Sequence, residues 1–241
     1  YYANSFPNCI SVDKNKIPSI DISGQEVAMH RTYFEVPENW KGRRIFLHFG
    51  AAKAGLRVFV NGQYVGYSQG SFTPHEFDVT DFVTEGKNTV AAEVFRYTDG
   101  TYLEDQDCFR FNGIFRDVYL LQRPNNHITD IEIIPDDKAI NIKIDGTSKV
   151  KILDDDRIIY NGIMTDKLEF KPENPVLWNA EKPYLYTLNA EKDGEIISID
   201  VGFRTIEISD KFELLINGVP VKLRGVNHHD THPQNGWCET I

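Results

Sequence analysis

Arg96-Tyr97-Thr98-Asp99-Gly100-Thr101-Tyr102-Leu103-Glu104-Asp105-Gln106-Asp107 is the stretch on which the reading of this chain turns, and Phe111-Asn112-Gly113-Ile114-Phe115-Arg116-Asp117-Val118 follows it closely. The first string places four carboxylates, Asp99, Glu104, Asp105 and Asp107, beside Tyr97 and Tyr102, directly after the strand-like run Asn88-Thr-Val-Ala-Ala-Glu-Val-Phe95. Asp99-Gly100 after an extended run predicts a tight turn, because Gly tolerates positive φ and Asp bonds to its own backbone. A carboxylate at such a turn stands at a strand end. Carboxylates beside aromatic faces suit a sugar, whose hydroxyls need acceptors and whose ring has an apolar face. Spacing alone favours a solvated acidic loop over such a site.

Outward from that string, the texture is one of short strands broken by turns. Residues 1–25 read as loop, with Pro7, Pro18 and Gly24. Val27 to Val36 reads as a strand closed by Pro37. Ile45, Leu47 and Phe49 alternate with Phe46 and His48, and Leu56, Val58 and Val60 alternate likewise, so one face of each run is buried. Asn61-Gly62 then joins Leu56–Val60 to Gln63-Tyr-Val-Gly-Tyr67 as a hairpin. Asn-Gly recurs at 112, 161, 217 and 235, and Asp-Gly at 99, 145 and 193. So many reversals without a sustained 3.6-residue apolar period predict an all-β chain of sandwiches. Asp78 to Glu85 is the one helical turn expected, capped by Asp or Thr.

A boundary is expected near Gln122-Arg-Pro-Asn-Asn-His127. Beyond it, the runs Ile131–Ile134, Ile140–Ile144, Val150–Leu153, Ile158–Tyr160, Pro183–Leu188 and Ile196–Val201, together with Lys171-Pro-Glu-Asn-Pro-Val-Leu-Trp178, predict about seven short strands of an immunoglobulin-like sandwich. Asp154 to Asp156 reads as a solvated turn, since successive residues of a strand point to opposite faces. Phe212 to Pro233 reads as a hairpin running into a strand that ends in His228, His229, Asp230 and His232. That spacing matches no established metal motif, and without a helix these side chains share no face.

Composition narrows the function classes. The 241 residues with 41% hydrophobic content can fill real cores, and a net charge of −10 makes nucleic acid and anionic membrane poor partners. Cys9, Cys108 and Cys238 are odd in number and far apart, which argues against a disulfide framework and for a reducing, cytoplasmic setting. No apolar run reaches the length of a membrane span.

The acidic string with its Asn-Gly-Ile-Phe-Arg-Asp-Val sequel closely resembles the N-terminal sugar-binding domain of β-galactosidases of glycoside hydrolase family 2. Asn61-Gly-Gln-Tyr-Val-Gly-Tyr-Ser68, Glu76-Phe-Asp-Val-Thr80, Glu173-Asn-Pro-Val-Leu-Trp178 and Leu223-Arg-Gly-Val-Asn-His-His-Asp-Thr-His-Pro233 extend the resemblance over nearly the whole chain, in the family's order. In the last of these, His228 stands where the family usually has Arg, Asp230 where it has Glu, and Thr231 where it has His. His229 and His232 match in place.

The resemblance implies an all-β fold, a jelly-roll (galactose-binding-like) sandwich over 1–123 followed by an immunoglobulin-like sandwich over 124–207. Residues 208–241 would lead into a (β/α)8 barrel. Such a barrel needs about 250 residues, so the chain is expected to be a non-catalytic piece of a retaining β-galactosidase, cut at its start as well. The family's two catalytic glutamates lie in the barrel, and no Glu here matches either. Asp99 matches an aspartate that reaches the galactose pocket near a bound sodium ion. His229 matches a histidine that bonds galactosyl hydroxyls, and Lys53 falls where the family usually has Asn or a small polar residue. The whole protein would take a β-galactoside such as lactose, use magnesium and sodium, pack these sandwiches on its own barrel, and form a homo-oligomer. A free-standing carbohydrate-binding module and a purely structural pair of sandwiches are the alternatives.

Overall fold

β-Branched and aromatic residues at every second position favour a pleated, half-buried surface over a helix, and the protein is built from such runs. The computed structural model describes residues 9–11, 19–20, 25–104, 111–228 and 232–236. It divides into two units, Tyr1–Arg123 with Asn227–Ile241, and Pro124–Val226.

The first unit contains β1 (Cys9–Ser11), β2 (Ser19–Ile20), β3 (Val27–Val36), β4 (Arg44–Phe49), β5 (Ala52–Lys53), β6 (Gly55–Val60), β7 (Gln63–Gln69), β8 (His75–Asp78), β9 (Gly86–Phe95), β10 (Gly113–Ile114) and β11 (Val118–Arg123). Residues 1–25 therefore hold more than loop, since β1 and β2 pair antiparallel and so satisfy backbone groups that a loop leaves to water. A four-stranded sheet runs β3-β9-β6-β7 and a three-stranded sheet β11-β4-β8, with β5 and β10 paired separately. Between them, Ile45, Leu47 and Phe49 of β4 meet Leu56, Val58 and Val60 of β6 and Val90, Ala92 and Val94 of β9 in one buried cluster. Each large aliphatic side chain so enclosed contributes about 1.5–3 kcal/mol.

The Asn61-Gly62 hairpin forms as expected. Both residues take the left-handed backbone, at φ 51° and 81°, which a two-residue turn matched to strand twist requires. The Asn61 side chain donates to the Asn88 Oδ1 at 2.8 Å and accepts the Thr89 N–H at 2.9 Å. Asn88, only 1% exposed, in turn donates to the carbonyls of Thr84 at 2.7 Å and Gly86 at 2.8 Å, and accepts the Thr84 N–H at 2.8 Å. One buried amide thus closes the approach to β9. The helical turn expected after Asp78 is a 3₁₀ turn over Thr80–Phe82. Burial would raise the Asp78 carboxyl, yet the Thr80 hydroxyl and N–H, with the Arg44 guanidinium, hold it below the usual carboxylate range.

The second unit contains β12 (Ile131–Pro135), β13 (Ile140–Asp154), β14 (Arg157–Phe170), β15 (Tyr186–Lys192), β16 (Glu195–Val201), β17 (Ile206–Ile208), β18 (Leu214–Ile216) and β19 (Val219–Pro220). Up to Val201 the strands are longer and fewer than the sequence suggests, five where about seven are expected. Asp145-Gly146 is no reversal but an irregularity inside β13, and Asn161-Gly162 lies within β14, because the two strands pair along nearly their whole length. Tyr160 lies over Gly162, its hydroxyl 2.7 Å from where a Cβ would stand, which supplies packing that glycine lacks. The hairpin turns instead at Asp155, with φ 51°. Asp154 is more than a solvated turn residue, since it accepts hydrogen bonds from Tyr184 and Arg157. The tyrosine's phenol is pushed up to about 12, chiefly by that bond.

β13 pairs β12 through its first half and β15 through its second. This wraps Ile140, Ile142, Ile144, Val150 and Ile152 around Leu188, Val201 and Phe203 in a second core. Trp178 donates its N–H to the Phe203 carbonyl at 2.8 Å, and its side chain fills the space beside Gly202, where a Cβ would meet Trp178 Cβ at 2.7 Å. The Asn217 side chain donates to the Trp178 carbonyl at 3.0 Å and so ties the small β17-β18-β19 sheet to the sandwich.

Replacing Asn88 by Ala leaves the Thr84 N–H, the Thr84 and Gly86 carbonyls and the Asn61 amide without this partner. The expected cost is about 2–3 kcal/mol, read as a lower urea midpoint at unchanged slope.

Candidate functional site

The register of β6 sets the geometry of the acidic string. Gly55, its first residue, pairs with Gln69 of β7 on one side and Phe95 of β9 on the other. Three residues past Phe95 the backbone folds back, and a Cβ on Gly55 would stand 2.8 Å from Thr98 Cγ2 and 3.0 Å from the Tyr67 hydroxyl. Only glycine fits. Thr98 is buried and its N–H donates to Thr101 Oγ1 at 2.8 Å, while the Thr101 N–H returns to the Thr98 carbonyl at 3.0 Å. Asp99-Gly100 therefore opens a 3₁₀ turn, Asp99–Tyr102, rather than the positive-φ reversal expected for the dipeptide. The capping threonines supply the turn's hydrogen bonds and leave Gly100 no need of left-handed backbone.

The Asp99 side chain is exposed and one oxygen accepts the Gly100 N–H at 3.0 Å. Beside it, the Tyr67 phenol is raised by burial first and by the Asp99 charge second, against the lowering pull of Arg57. That hydroxyl donates to Gln69 Oε1 at 2.9 Å. Arg57 lies 5.0 Å from the Phe95 ring centroid and pairs with Glu93 at 3.0 Å. Asp99 thus offers an open carboxylate at this rim, beside a phenol whose one proton is committed to Gln69.

Lys53 belongs to the same neighbourhood through β5. It is 6% exposed and its ammonium lies 5.2 Å from the Phe72 ring centroid. The next residue, Ala54, donates to the Phe95 carbonyl at 3.0 Å. The structure therefore brings Lys53 and Asp99 to the same end of β9. His229 lies outside the described residues, as do Asp105 and Asp107. His228 is exposed, and His232 closes a turn, its Nδ1 accepting the N–H groups of Gln234 and Asn235 at 3.2 and 3.1 Å.

Glu104 has a different task from Asp99. Both of its oxygens are taken by Ser71, one by the N–H at 2.8 Å and the other by the hydroxyl. Arg116 donates to the Phe72 carbonyl at 3.0 Å, and the Phe115 ring meets Phe72 edge-on at 5.9 Å. Ser71, Phe72 and Tyr67 escape sequence reasoning, because a contact across 33 positions leaves no local pattern. The one signal is Gly70 after β7, whose φ of 117° marks a forced turn.

His75 is buried behind this loop, with Nδ1 2.7 Å from Ser68 Oγ and with Nε2 lacking a hydrogen-bond partner among the described residues. Burial pushes its pKa down, more than the Ala52 backbone and Glu104 raise it.

A hard cation such as magnesium or sodium needs several oxygen ligands. Among the described residues no group of three His, Cys, Asp or Glu side chains converges, and at the rim Asp99 is the one carboxylate left open. These residues do not by themselves form a complete cation site. Among them, too, no helix is long and apolar enough to cross a membrane.

Residues 1–124 match the model of the glycosyl hydrolases family 2 sugar binding domain, and residues 129–204 match a second glycosyl hydrolases family 2 model. The chain belongs to glycosyl hydrolase family 2. Its relatives include a β-galactosidase of Actinobacillus pleuropneumoniae, 40% identical over 222 residues, which are 88% of this chain and 22% of that protein. Another is a β-galactosidase of Clostridium acetobutylicum, 35% identical over 93% of this chain and 28% of the relative. Among solved structures, a β-glucuronidase of an uncultured Clostridium sp. superposes with a TM-score of 0.75 at 27% identity, over 89% of this chain and 41% of that one. The protein described here thus spans under a third of the length of these two curated family 2 relatives.

Two outcomes follow from the geometry. Gly55→Ala forces Thr98 or Tyr67 to move and is expected to cost about 1–3 kcal/mol, with the largest amide shifts at residues 98–101 in NMR spectra. The second concerns His75, whose folded pKa lies below its ordinary 6.5. The unfolded state then binds the proton more readily, so this contribution to stability is full above that pH and falls as pH drops through the folded value. Melting curves from pH 7.5 downward should show this loss in the native protein and a shallower one in His75→Gln.

Proposed function

We propose that this chain is the sugar-binding and immunoglobulin-like portion of a retaining β-galactosidase, non-catalytic by itself. Asp99 and Lys53 line part of the galactosyl pocket, His229 adds a hydroxyl contact, and the sandwiches brace a catalytic barrel. The observation that carries the reading is the open Asp99 carboxylate beside the Tyr67 phenol. Glu104 of the same string is spent on Ser71, which leaves Asp99, among the described carboxylates of the string, as the acceptor for a sugar hydroxyl. Retaining hydrolysis needs two carboxyl groups about 5 Å apart, and both would belong to the barrel. Lactose as natural substrate, the sodium near Asp99, the magnesium, the homo-oligomer and the cytoplasmic setting are parts of the same proposal about the whole protein.

A second reading, hydrolysis of β-glucuronides, is favoured by the Lys53 ammonium, which suits a uronate carboxylate, and by the superposition on a β-glucuronidase. The Asp99 charge opposes it, since an anionic sugar approaching that rim meets like charge.

Titration of the protein with galactose and with glucuronate, followed by amide shifts and paired with a chromogenic β-galactoside assay, tests both. Expected are no turnover, shifts at residues 52–55 and 98–101 with galactose, and about tenfold weaker binding in Asp99→Ala. Stronger response to glucuronate moves the assignment to uronides. Turnover that disappears in Asp99→Ala overturns the non-catalytic reading.

A further inference from the structure

Five Asn-Gly dipeptides stand in this sequence, and the structure treats them very differently. We propose that Asn112 is a site of spontaneous deamidation, and that the modification loosens the strand carrying Lys53. In the reaction, the Gly113 backbone nitrogen gives up its proton and attacks Asn112 Cγ. A new bond forms between that nitrogen and Cγ, the bond from Cγ to the amide Nδ2 breaks, and ammonia leaves. Water then opens the resulting five-membered imide at either carbonyl, giving aspartate or, through the other bond, isoaspartate with an extra methylene in the backbone. Water enters, ammonia departs, and nothing is oxidised. Glycine favours the step because no Cβ shields its nitrogen.

Side-chain restraint sorts the five. Asn61 holds three hydrogen bonds, to Phe82, Asn88 and Thr89, and Asn217 holds two, to Trp178 and Thr205. Neither amide carbon can swing onto the next nitrogen without breaking them. Asn161 lies inside β14, paired with Lys151, with the Tyr160 ring over Gly162. Gly236, after Asn235, commits its N–H to the His232 carbonyl at 3.0 Å within a turn closed by two such bonds. Asn112 has none of these restraints. It is exposed, its side chain makes no hydrogen bond among the described residues, and the space where a Gly113 Cβ would stand is empty to 4 Å. Gly113 belongs to a ladder of only two residue pairs, Gly113↔Lys53 and Ile114↔Ala52, and so short a ladder frays at low cost.

The same ladder gives the reaction its consequence. An extra backbone methylene at position 112 shifts the register of β10 against β5, at the residue pair that includes Lys53. The added negative charge falls beside that lysine's strand.

The test needs no sugar and is independent of the galactosidase reading. The protein is aged at mildly alkaline pH, and its peptides are mapped by mass spectrometry with separation of aspartate from isoaspartate. Asn112 should convert first, about a hundredfold faster than Asn61 or Asn217, the factor that two lost hydrogen bonds confer. Equal rates at all five sites, or an Asn112 that survives while another converts, overturns the proposal. Hydrogen exchange on the aged protein then reads the consequence. Protection at Phe115, whose N–H donates to the Ala51 carbonyl beside β5 at 3.4 Å, should fall in the isoaspartate form and persist in Asn112→Asp, which carries the charge without the methylene. Unchanged protection in the isoaspartate form overturns the link to Lys53.

Discussion

The period-two register of β6 is the constraint from which the rest follows. Leu56, Val58 and Val60 must face the core together, and a slip of one residue would turn all three outward. With these three in place, Gly55 can only fall at the strand's end, between Gln69 and Phe95. Its missing Cβ then lets Thr98 and Tyr67 close over it. The hydrophobic core therefore positions Asp99 indirectly, through a glycine that buries no side chain. The geometry of the candidate site and the stability of the sheet share one set of contacts here, as sites built on rigid elements require.

Much of this was legible in the sequence where the cause was local. Alternation in β4 and β6, the Asn61-Gly62 turn and the turn after Asp78 depend on residues within a few positions of one another. What escaped reading depends on distant partners. β13 and β14 read as several short strands because Asp145-Gly146 and Asn161-Gly162 carry turn chemistry. Cross-strand pairing over a long hairpin outweighs that local preference. The candidate site divides likewise. Asp99 and Lys53 could be named from the string and its resemblance, whereas Ser71, Phe72 and Tyr67 join them only through the sheet.

The acidic string illustrates how chemistry separates residues that composition makes alike. Asp99 and Glu104 are both carboxylates at one strand end. Glu104 takes two hydrogen bonds from Ser71, and charge-assisted bonds of this kind are about twice as strong as neutral ones. It therefore holds the loop that presents Phe72, and both of its oxygens are engaged. Among the described residues Asp99 takes only the N–H of the residue after it and keeps the remainder of its acceptor capacity. An acid with both oxygens engaged and an acid left open thus sit five residues apart, told apart by what donates to them.

The two sets of relatives bear on where specificity resides. β-Galactosidases match in sequence and a β-glucuronidase matches in backbone, so this sandwich fold is shared by relatives of both names. On the reading proposed above, this chain's share in telling a neutral from an anionic ring would lie with the charged side chains at the rim. On that same proposal, Asp99 would repel a uronate and accept from a hydroxyl, and Lys53 would do the reverse. The lysine is the more deeply buried of the two and lies against the Phe72 ring, whose face already stabilises its charge. Asp99, exposed and bonded to its neighbour, is the charge a ligand would meet first. That order of encounter favours the neutral sugar.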